Sequence, residues 1–419
     1  MQVLVAGGTG FVGTALVREL LARGHDVTVL ARDPGDVDLP ASVARVAVDL
    51  GQADVDALRD AVAGHDAVVN LVALSPLFTP AGGPEAHETV HVGGTEALVA
   101  AASATGVDRF VQMSALGADP DGDTHYLRAK GRAERVVRNA DLSWVIVRPS
   151  VIFGDGGEFV EFTRLLTTPY VTGLPGGGTT RFQPVWVGDV APMVADCVED
   201  ADRAGESYEV GGPEVLTLAE VARRAHAAEG RPLRVVPVPM ALARVGLTVA
   251  GAVPGVPMGP DQYRSLRLDN VVDGGDPDAN DARAFDVDPT DLRTLGDSRR
   301  RDEVADASAD DGSVLADRAT LGLFAVLTLS WYLPAVVDIY AVPGLSLLYL
   351  PAYVVNLGVY DGGLGLEAAV YALEGVVGRS PALWDAGLVV TYYLVSVLVV
   401  TLARVLTRLV RPIPADVPP

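Results

Sequence analysis

Lysine is nearly missing from this chain: of 32 basic residues only Lys130 is lysine, and the rest are arginine. Cysteine is as scarce, with Cys197 alone, which excludes an intramolecular disulfide framework and a cysteine-rich metal site. Positive charge is short overall, 32 basic against 54 acidic residues, giving a formal net charge of −22 and a pI near 4.6. Phosphate-backbone binding needs clustered Lys and Arg, so nucleic acid is not an expected partner. The acidic residues are spread along the chain rather than blocked. An Asp-rich surface almost free of lysine, on an Ala/Val-rich chain, is a halophilic composition, in which carboxylates keep the surface hydrated in molar salt. At 419 residues the chain is too long for one compact core, and two or three domains are expected.

Met1 to Ala6 has no basic n-region, and its apolar run stops at Gly7-Gly8. No secretory signal opens the chain, so the N-terminal part is expected in the cytoplasm. Up to about Arg148, short apolar runs at Val3–Ala6, Asp26–Leu30, Ala67–Val72, Arg109–Ser114 and Trp144–Arg148 read as strands. Helical patterns at Gly13–Arg23, Val55–Ala63, Gly94–Ala102 and Tyr126–Asn139 lie between them. Regular alternation of this kind means βαβ units, hence an α/β fold with a parallel sheet covered on both faces. From Val151 to about Asp297 the pattern loosens into a smaller, loop-rich substrate lobe, in which Thr217 and Glu220 make a capping box ahead of a helix over Val221–Ala228. Ser298–Asp317 is polar and charged and reads as a linker.

Residues 318–411 change character. Ala319–Tyr340 is apolar apart from Asp338, and Ala386–Ala403 is an uninterrupted apolar run of bilayer-spanning length. Val342–Tyr360 between them is broken by Pro343, Gly344 and Pro351. Arg404, Arg408 and Arg411 follow the last run, which by the positive-inside rule puts the C-terminus in the cytoplasm. With the N-terminal part also cytoplasmic, an even number of transmembrane crossings is expected in a multi-pass cell-membrane protein. The intramembrane Asp338 lines a polar path or sits at an interface between two short segments.

Gly7-Gly8-Thr9-Gly10-Phe11-Val12-Gly13 follows the first strand and opens the first helix, the context of a dinucleotide fingerprint. Gly7 permits the tight turn, Gly10 lets backbone approach a pyrophosphate, Gly13 lets helix pack on strand, and helix N–H groups face the phosphates. This is the turn of a doubly wound Rossmann sheet. Roughly twenty residues on, an acidic residue would hold the ribose hydroxyls of NAD. The second strand instead ends in Ala31-Arg32, whose guanidinium suits a 2′-phosphate. NADP(H) is therefore favoured over NAD(H), with the adjacent Asp33 the residue that would serve the opposite preference. Asp49 is placed either to meet the adenine edge or to cap a loop.

Tyr126 and Lys130 stand four apart on a helix, hence on one face. Such a pair is ordinarily a solvated surface, but a chain that uses arginine everywhere else keeps its one lysine here. A compact ammonium beside a phenol is expected to lower the phenol pKa and make Tyr126 an acid/base near neutrality, while also reaching a ribose. Ser114 closes the preceding strand, where its hydroxyl either polarises a substrate carbonyl or simply ends the strand. Cys197, in the apolar stretch Val190–Val198, reads as core.

These residues together resemble the short-chain dehydrogenase/reductase superfamily in its extended or atypical branch, over about residues 1–297. The similarity is greatest to the atypical group that contains the nucleotide-binding accessory subunit of respiratory complex I. The stretches that carry it are Gly7–Gly13, Val90–Thr95, Met113–Ala118, Tyr126–Glu134, Arg148–Gly154, Phe182–Ala191, Tyr208–Leu218 and Asp261–Val272. The resemblance implies an NAD(P)-binding Rossmann domain with a small substrate lobe. It implies Tyr126 as catalytic acid/base, Lys130 as its partner, Ser114 as third member, and Pro149 to Ile152 along the nicotinamide. Two features depart from the pattern. Where family enzymes often carry an Asn that completes a proton relay, this chain has His91, another proton carrier. The apolar C-terminal region is the second departure.

The same place holds a zinc-protease look-alike, His87-Glu88-Thr89-Val90-His91. Its extended form needs a third His where Ala97 stands, and the Rossmann reading already uses the stretch, so no metal is expected. The function expected is a membrane-anchored NAD(P)-dependent oxidoreductase or epimerase-like enzyme. Its substrate would be a small or lipid-linked carbonyl or carbinol compound, such as an isoprenoid, a quinone or a lipid-linked sugar. The alternative is a non-catalytic NAD(P)-binding accessory subunit of a membrane protein complex.

Overall fold

The computed structural model describes residues 1–35, 37–52, 55–228, 230–252, 258–275, 280–296, 323–330 and 396. The chain divides into two units, Met1–Glu303 and Val304–Pro419. The first half of the first unit runs β1 (Gln2–Ala6), α1 (Phe11–Ala22), β2 (Asp26–Ala31), β3 (Ala44–Ala47), α2 (Val55–Val62), β4 (Ala67–Asn70), α3 (Gly94–Thr105), β5 (Arg109–Met113), α4 (His125–Arg138) and β6 (Ser143–Pro149). A π-helical turn, Glu88–Gly93, leads into α3.

Side chains on a strand alternate between faces, and β1 shows what that does. Val3 and Val5 point to one side, against Leu16, Val17 and Leu20 of α1. Leu4 and Ala6 point to the other, against Leu58 of α2 and Leu98 and Ala102 of α3. Both faces of the strand are therefore buried, as expected of a parallel sheet. Each fully buried leucine contributes on the order of 2 kcal/mol.

The second half adds β7 (Ile152–Phe153), α5 (Glu158–Leu166), β8 (Tyr170–Pro175), β9 (Arg181–Phe182), β10 (Val185–Trp186), α6 (Val187–Glu199), β11 (Ser207–Val210), β12 (Leu216–Thr217), α7 (Leu218–Ala227), β13 (Leu233–Val238), α8 (Met240–Ala252) and α9 (Pro260–Ser265). The main sheet has seven strands in the order β11-β6-β5-β4-β1-β2-β3, and every pairing in it is parallel. Strand order reverses between β1 and β4, which opens the crevice at the carboxyl ends where α/β sheets bind ligands.

The sequence pattern puts the layered part of the fold before residue 150, and here the structure adds to it. β11 pairs with β6, and Val194 and Val198 of α6 pack in the same core as α1. The β6–α6–β11 crossover is a βαβ unit interrupted by the lobe segment that carries α5 and β8, so local alternation does not reveal it. Cys197 lies on α6, buried, and burial pushes its thiol up to about 12. In the lobe the expected capping box is present on α7. Thr217 Oγ1 accepts the Glu220 N–H at 3.2 Å, and Glu220 Oε2 accepts the Thr217 N–H at 2.7 Å.

Among the described residues no helix is long and apolar enough to cross a membrane. Residues 323–330 and residue 396 are helical. The rest of Ala319–Tyr340, Val342–Tyr360 and Ala386–Ala403, with Asp338 and the linker Ser298–Asp317, lies outside the described residues.

Candidate functional site

The glycine-rich turn links β1 to α1 as the spacing predicts. Gly7 takes a left-handed backbone, φ 81°, and donates its N–H to the Leu30 carbonyl at 2.8 Å. A Cβ on Gly13 would lie 2.2 Å from the Gly7 carbonyl oxygen, so only glycine allows the first turn of α1 to sit on this loop. Gly10 caps α1, and its carbonyl accepts the Thr14 N–H at 2.9 Å. The N–H groups of Phe11, Val12 and Gly13 precede that first intrahelical bond, as in a helix end that binds phosphate. Thr9 lies on the loop. The Phe11 ring packs against Gly154 and Gly157, where added Cβ atoms would come within 3.1 and 2.9 Å of its Cζ. This ties the turn to the segment after β7.

Arg32 follows the last residue of β2, is exposed, and has no ion pair among the described residues. Asp33 is engaged locally, its Oδ1 accepting the Gly35 N–H at 3.2 Å. Asp49 does the same for Gly51 at 3.0 Å, so the loop-capping alternative describes it in this structure. Pro149 ends β6 and Ile152 begins β7. Between them Ser150 Oγ and the Val151 N–H both donate to Asn270 Oδ1, at 2.7 and 2.9 Å.

Tyr126 lies in the first turn of α4, which Thr124 caps by accepting the Leu127 N–H at 3.2 Å. Next to it, His125 donates its backbone N–H to Asp261 of α9 at 2.9 Å, pinning the helix start to the lobe. Lys130 is fully buried one turn on, with Nζ donating to the Met113 carbonyl at 3.0 Å and lying 5.9 Å from the Tyr126 ring centre. Burial pulls this ammonium down to about 8, against an upward pull from Glu134. The expectation that Lys130 lowers the phenol pKa is corrected here: burial pushes Tyr126 well above the ordinary phenol range. The physical reason is that burial withholds water from the phenolate and so disfavours it.

Ser114 is not free to polarise a carbonyl in this arrangement. Its hydroxyl donates to Glu134 Oε1 at 2.5 Å, and Arg148 donates to both oxygens of the same carboxylate at 2.8 and 2.6 Å. Glu134, one turn after Lys130 on the same face, escaped the sequence reading, although its i+4 spacing is the signal that could have found it.

His91 is nine-tenths or more buried, and its Nε2 accepts the Leu74 N–H at 2.9 Å. Burial, followed by the charge of Lys130, holds it well below the ordinary imidazole range, so it is neutral. A neutral ring that accepts at Nε2 carries its proton on Nδ1, and that Nδ1 has no partner among the described residues. His87 is likewise buried, and its Nδ1 has no partner among the described residues. The rings of His87, His91 and Tyr126 pack as a triangle with centroids 5.3, 5.5 and 5.7 Å apart. The zinc-protease pattern does not assemble as one, because His91 Nε2 is taken by Leu74 and Glu88 accepts from Arg132 at 3.0 Å. Among the described residues no group of three or more potential ligands is placed to hold a metal.

The site thus joins a glycine-rich turn, a basic residue past β2, and a phenol, an ammonium and an imidazole N–H at the carboxyl end of the sheet. The family described as NAD(P)H-binding matches residues 7–200. The mitochondrial NADH dehydrogenase [ubiquinone] 1 alpha subcomplex subunit 9 of Arabidopsis thaliana is 35% identical over 228 residues, 52% of this chain and 55% of that protein. The chloroplastic divinyl chlorophyllide a 8-vinyl-reductase of Oryza sativa subsp. indica is 31% identical over 273 residues, 61% of this chain and 66% of that protein. The uncharacterized protein y4nG of Sinorhizobium fredii is 30% identical over 289 residues, 63% of this chain and 69% of that protein. The chain therefore spans between about half and two thirds of the length of these relatives.

Proposed function

This chain belongs to the NAD(P)H-binding short-chain dehydrogenase/reductase family, and on that premise we propose that it is an NADP(H)-dependent reductase of a carbonyl substrate. The observation that carries the reading is the placement of the chain's one lysine, buried against the Met113 carbonyl one helical turn from Tyr126. The Gly7–Gly13 cradle, which added Cβ atoms would fill, fits a dinucleotide. When bound, the nicotinamide supplies the hydride. The chain's own residues do the rest. The turn and the α1 N-terminus would hold the pyrophosphate, Lys130 the ribose, and Pro149 to Ile152 the nicotinamide. Tyr126 gives its phenolic proton to the substrate oxygen, and the neighbouring ammonium stabilises the phenolate left behind. With Ser114 held by Glu134, the unpartnered Nδ1–H of His91 is the second donor to that oxygen.

The test is oxidation of NADPH in molar KCl by detergent-solubilised protein, supplied first with a lipid extract and then with a soluble extract. Turnover lost in Tyr126→Phe supports the reading, and tight binding without turnover from either extract removes it.

Cofactor choice falls to Arg32. Loss of a charge-assisted contact to phosphate costs about 1.5–3 kcal/mol. Arg32→Asp should therefore weaken NADPH roughly ten- to a hundredfold and leave NADH unchanged or tighter, as read by fluorescence titration. Equal losses for both nucleotides would assign Arg32 no role in the choice.

Nucleotide affinity should also fall as pH rises. Lys130 is charged below a pKa of about 8 and neutral above it. A contact that needs the ammonium is thus present on the acid side and fades above pH 8, toward the higher pKa of the bound form. In Lys130→Met this slope should vanish, which titration at pH 7, 8 and 9 would check.

A second reading, a non-catalytic nucleotide-holding subunit of a membrane complex, is favoured by the Ser114–Glu134 bond and by what the Arabidopsis relative is called. Co-purification of a stoichiometric complex with permanently held nucleotide would support it. The membrane location and the adaptation to concentrated salt rest on sequence alone. On the first, the chain should stay in the membrane pellet after an alkaline carbonate wash, and its release would remove the anchor. Such an anchor suits a lipid-linked substrate.

A further inference from the structure

The outer face of the β8–β13 ribbon differs in chemistry from the rest of the chain. Acidic residues are about one in eight overall, yet residues 162–188 and 230–260 contain none; Arg181 there pairs with Asp269 at 2.8 Å, and Arg234 and Arg244 are exposed. The two strands that pair in parallel here come from these two stretches, with Arg234 opposite Val171 and Val236 opposite Gly173. Leu174 turns inward against Ala222 of α7. Val171 and Val236 turn outward, 54% and 45% exposed; Tyr170 at the start of β8 is 61% exposed and Leu165 near the end of α5 58%. In the first unit, Met1 and Val215 are the only exposed large apolar residues among those described that lie outside the two stretches. Tyr170 also holds a left-handed backbone, φ 73°, a conformation costly for an aromatic residue.

We propose that this ribbon face docks on an anionic lipid membrane surface. The aliphatic side chains enter the boundary of the acyl region, and the Tyr170 ring sits at headgroup level. The stems of Arg234 and Arg244 lie along apolar surface while their guanidinium groups meet lipid phosphates. Charge complementarity selects this occupant. The remainder of the chain carries the net charge of −22, so these acid-free stretches are where an anionic surface makes contact without carboxylates opposite it, and contact pairs outlast the screening that molar salt imposes beyond about 3 Å. A cationic protein partner would instead be drawn to the acidic remainder. No residue of the nucleotide site takes part, so the inference stands or falls apart from the reductase reading.

The test uses a single-cysteine reporter on the full chain, since Cys197 is buried. Leu165→Cys, Val236→Cys and, on α2 as a control, Asp60→Cys are labelled with bimane. They are then reconstituted in molar KCl into phosphatidylglycerol or phosphatidylcholine vesicles containing nitroxide-labelled lipid. Exposed positions of this kind tolerate substitution. Quenching at 165 and 236 roughly twofold or more above that at 60, and stronger on phosphatidylglycerol, is the expected result. Quenching no greater than at 60 overturns the proposal. So does equal quenching on both lipids, or a label shielded from water but not quenched, which would mean that protein covers the face.

Discussion

Tyr126→Phe is expected to lower turnover by roughly a hundred- to ten-thousandfold, with nucleotide affinity almost unchanged. The substitution removes one oxygen and keeps the ring. The packing against His87 and His91, at 5.7 and 5.5 Å between centroids, therefore survives, as does the ring beneath Lys130. Lys130 keeps its bond to the Met113 carbonyl, so the group proposed to hold the ribose stays in place. What disappears is the only proton the site holds for a substrate oxygen in the phenolic form. Burial keeps that phenol protonated across the neutral range, which suits reduction, where the acid must begin with its proton. The measurement is single-turnover oxidation of bound NADPH beside a binding titration. Turnover within about tenfold of the parent would take the proton-donor role away from Tyr126.

Gly13→Ala should be more damaging to binding than any side-chain change in the site. Its methyl would lie 2.2 Å from the Gly7 carbonyl oxygen and 2.7 Å from Gly8 Cα, both backbone atoms that cannot rotate away. Helix α1 must then lift off the turn, at a cost of about 1–3 kcal/mol or more in stability. The N–H groups aimed at the pyrophosphate move with it, and nucleotide affinity should fall by roughly a hundredfold or more. Gly93→Ala is the matched control, because an added Cβ there meets nothing within 4 Å and the backbone is already helical, φ −58°. Thermal unfolding with and without NADPH separates the two effects. The nucleotide-dependent rise in melting temperature should vanish in Gly13→Ala and persist in Gly93→Ala. A normal rise in Gly13→Ala would show that the turn does not carry the pyrophosphate.

Much of the site is legible from local pattern because its parts are local. The first strand, its turn and its helix are contiguous, and the period of two in Val3 to Ala6 is enough to predict burial on both faces. Tyr126 and Lys130 share a helix face by spacing alone, and the solitary lysine draws attention to that face. Thr217 and Glu220 form their capping box within four residues, so that expectation needed no tertiary information either.

What escaped depends on groups brought together from distant parts of the chain. β11 joins β6 across the inserted lobe, a pairing between residues about sixty apart that no local periodicity encodes. Whether the Ser114 hydroxyl meets a substrate or Glu134 was decided by the packing of α4 on β5. The Leu74 N–H fixes which nitrogen of His91 bears the proton. Burial alone reversed the expected direction of the Tyr126 shift. Sequence by itself determined the Rossmann frame, the glycine turn between β1 and α1 and the shared helix face of Tyr126 and Lys130, because covalent proximity and helical or strand period impose them. Tertiary structure decided which of those groups keep a free donor and in which protonation state, because desolvation and hydrogen-bond partnership are properties of the packed neighbourhood, not of the chain's order.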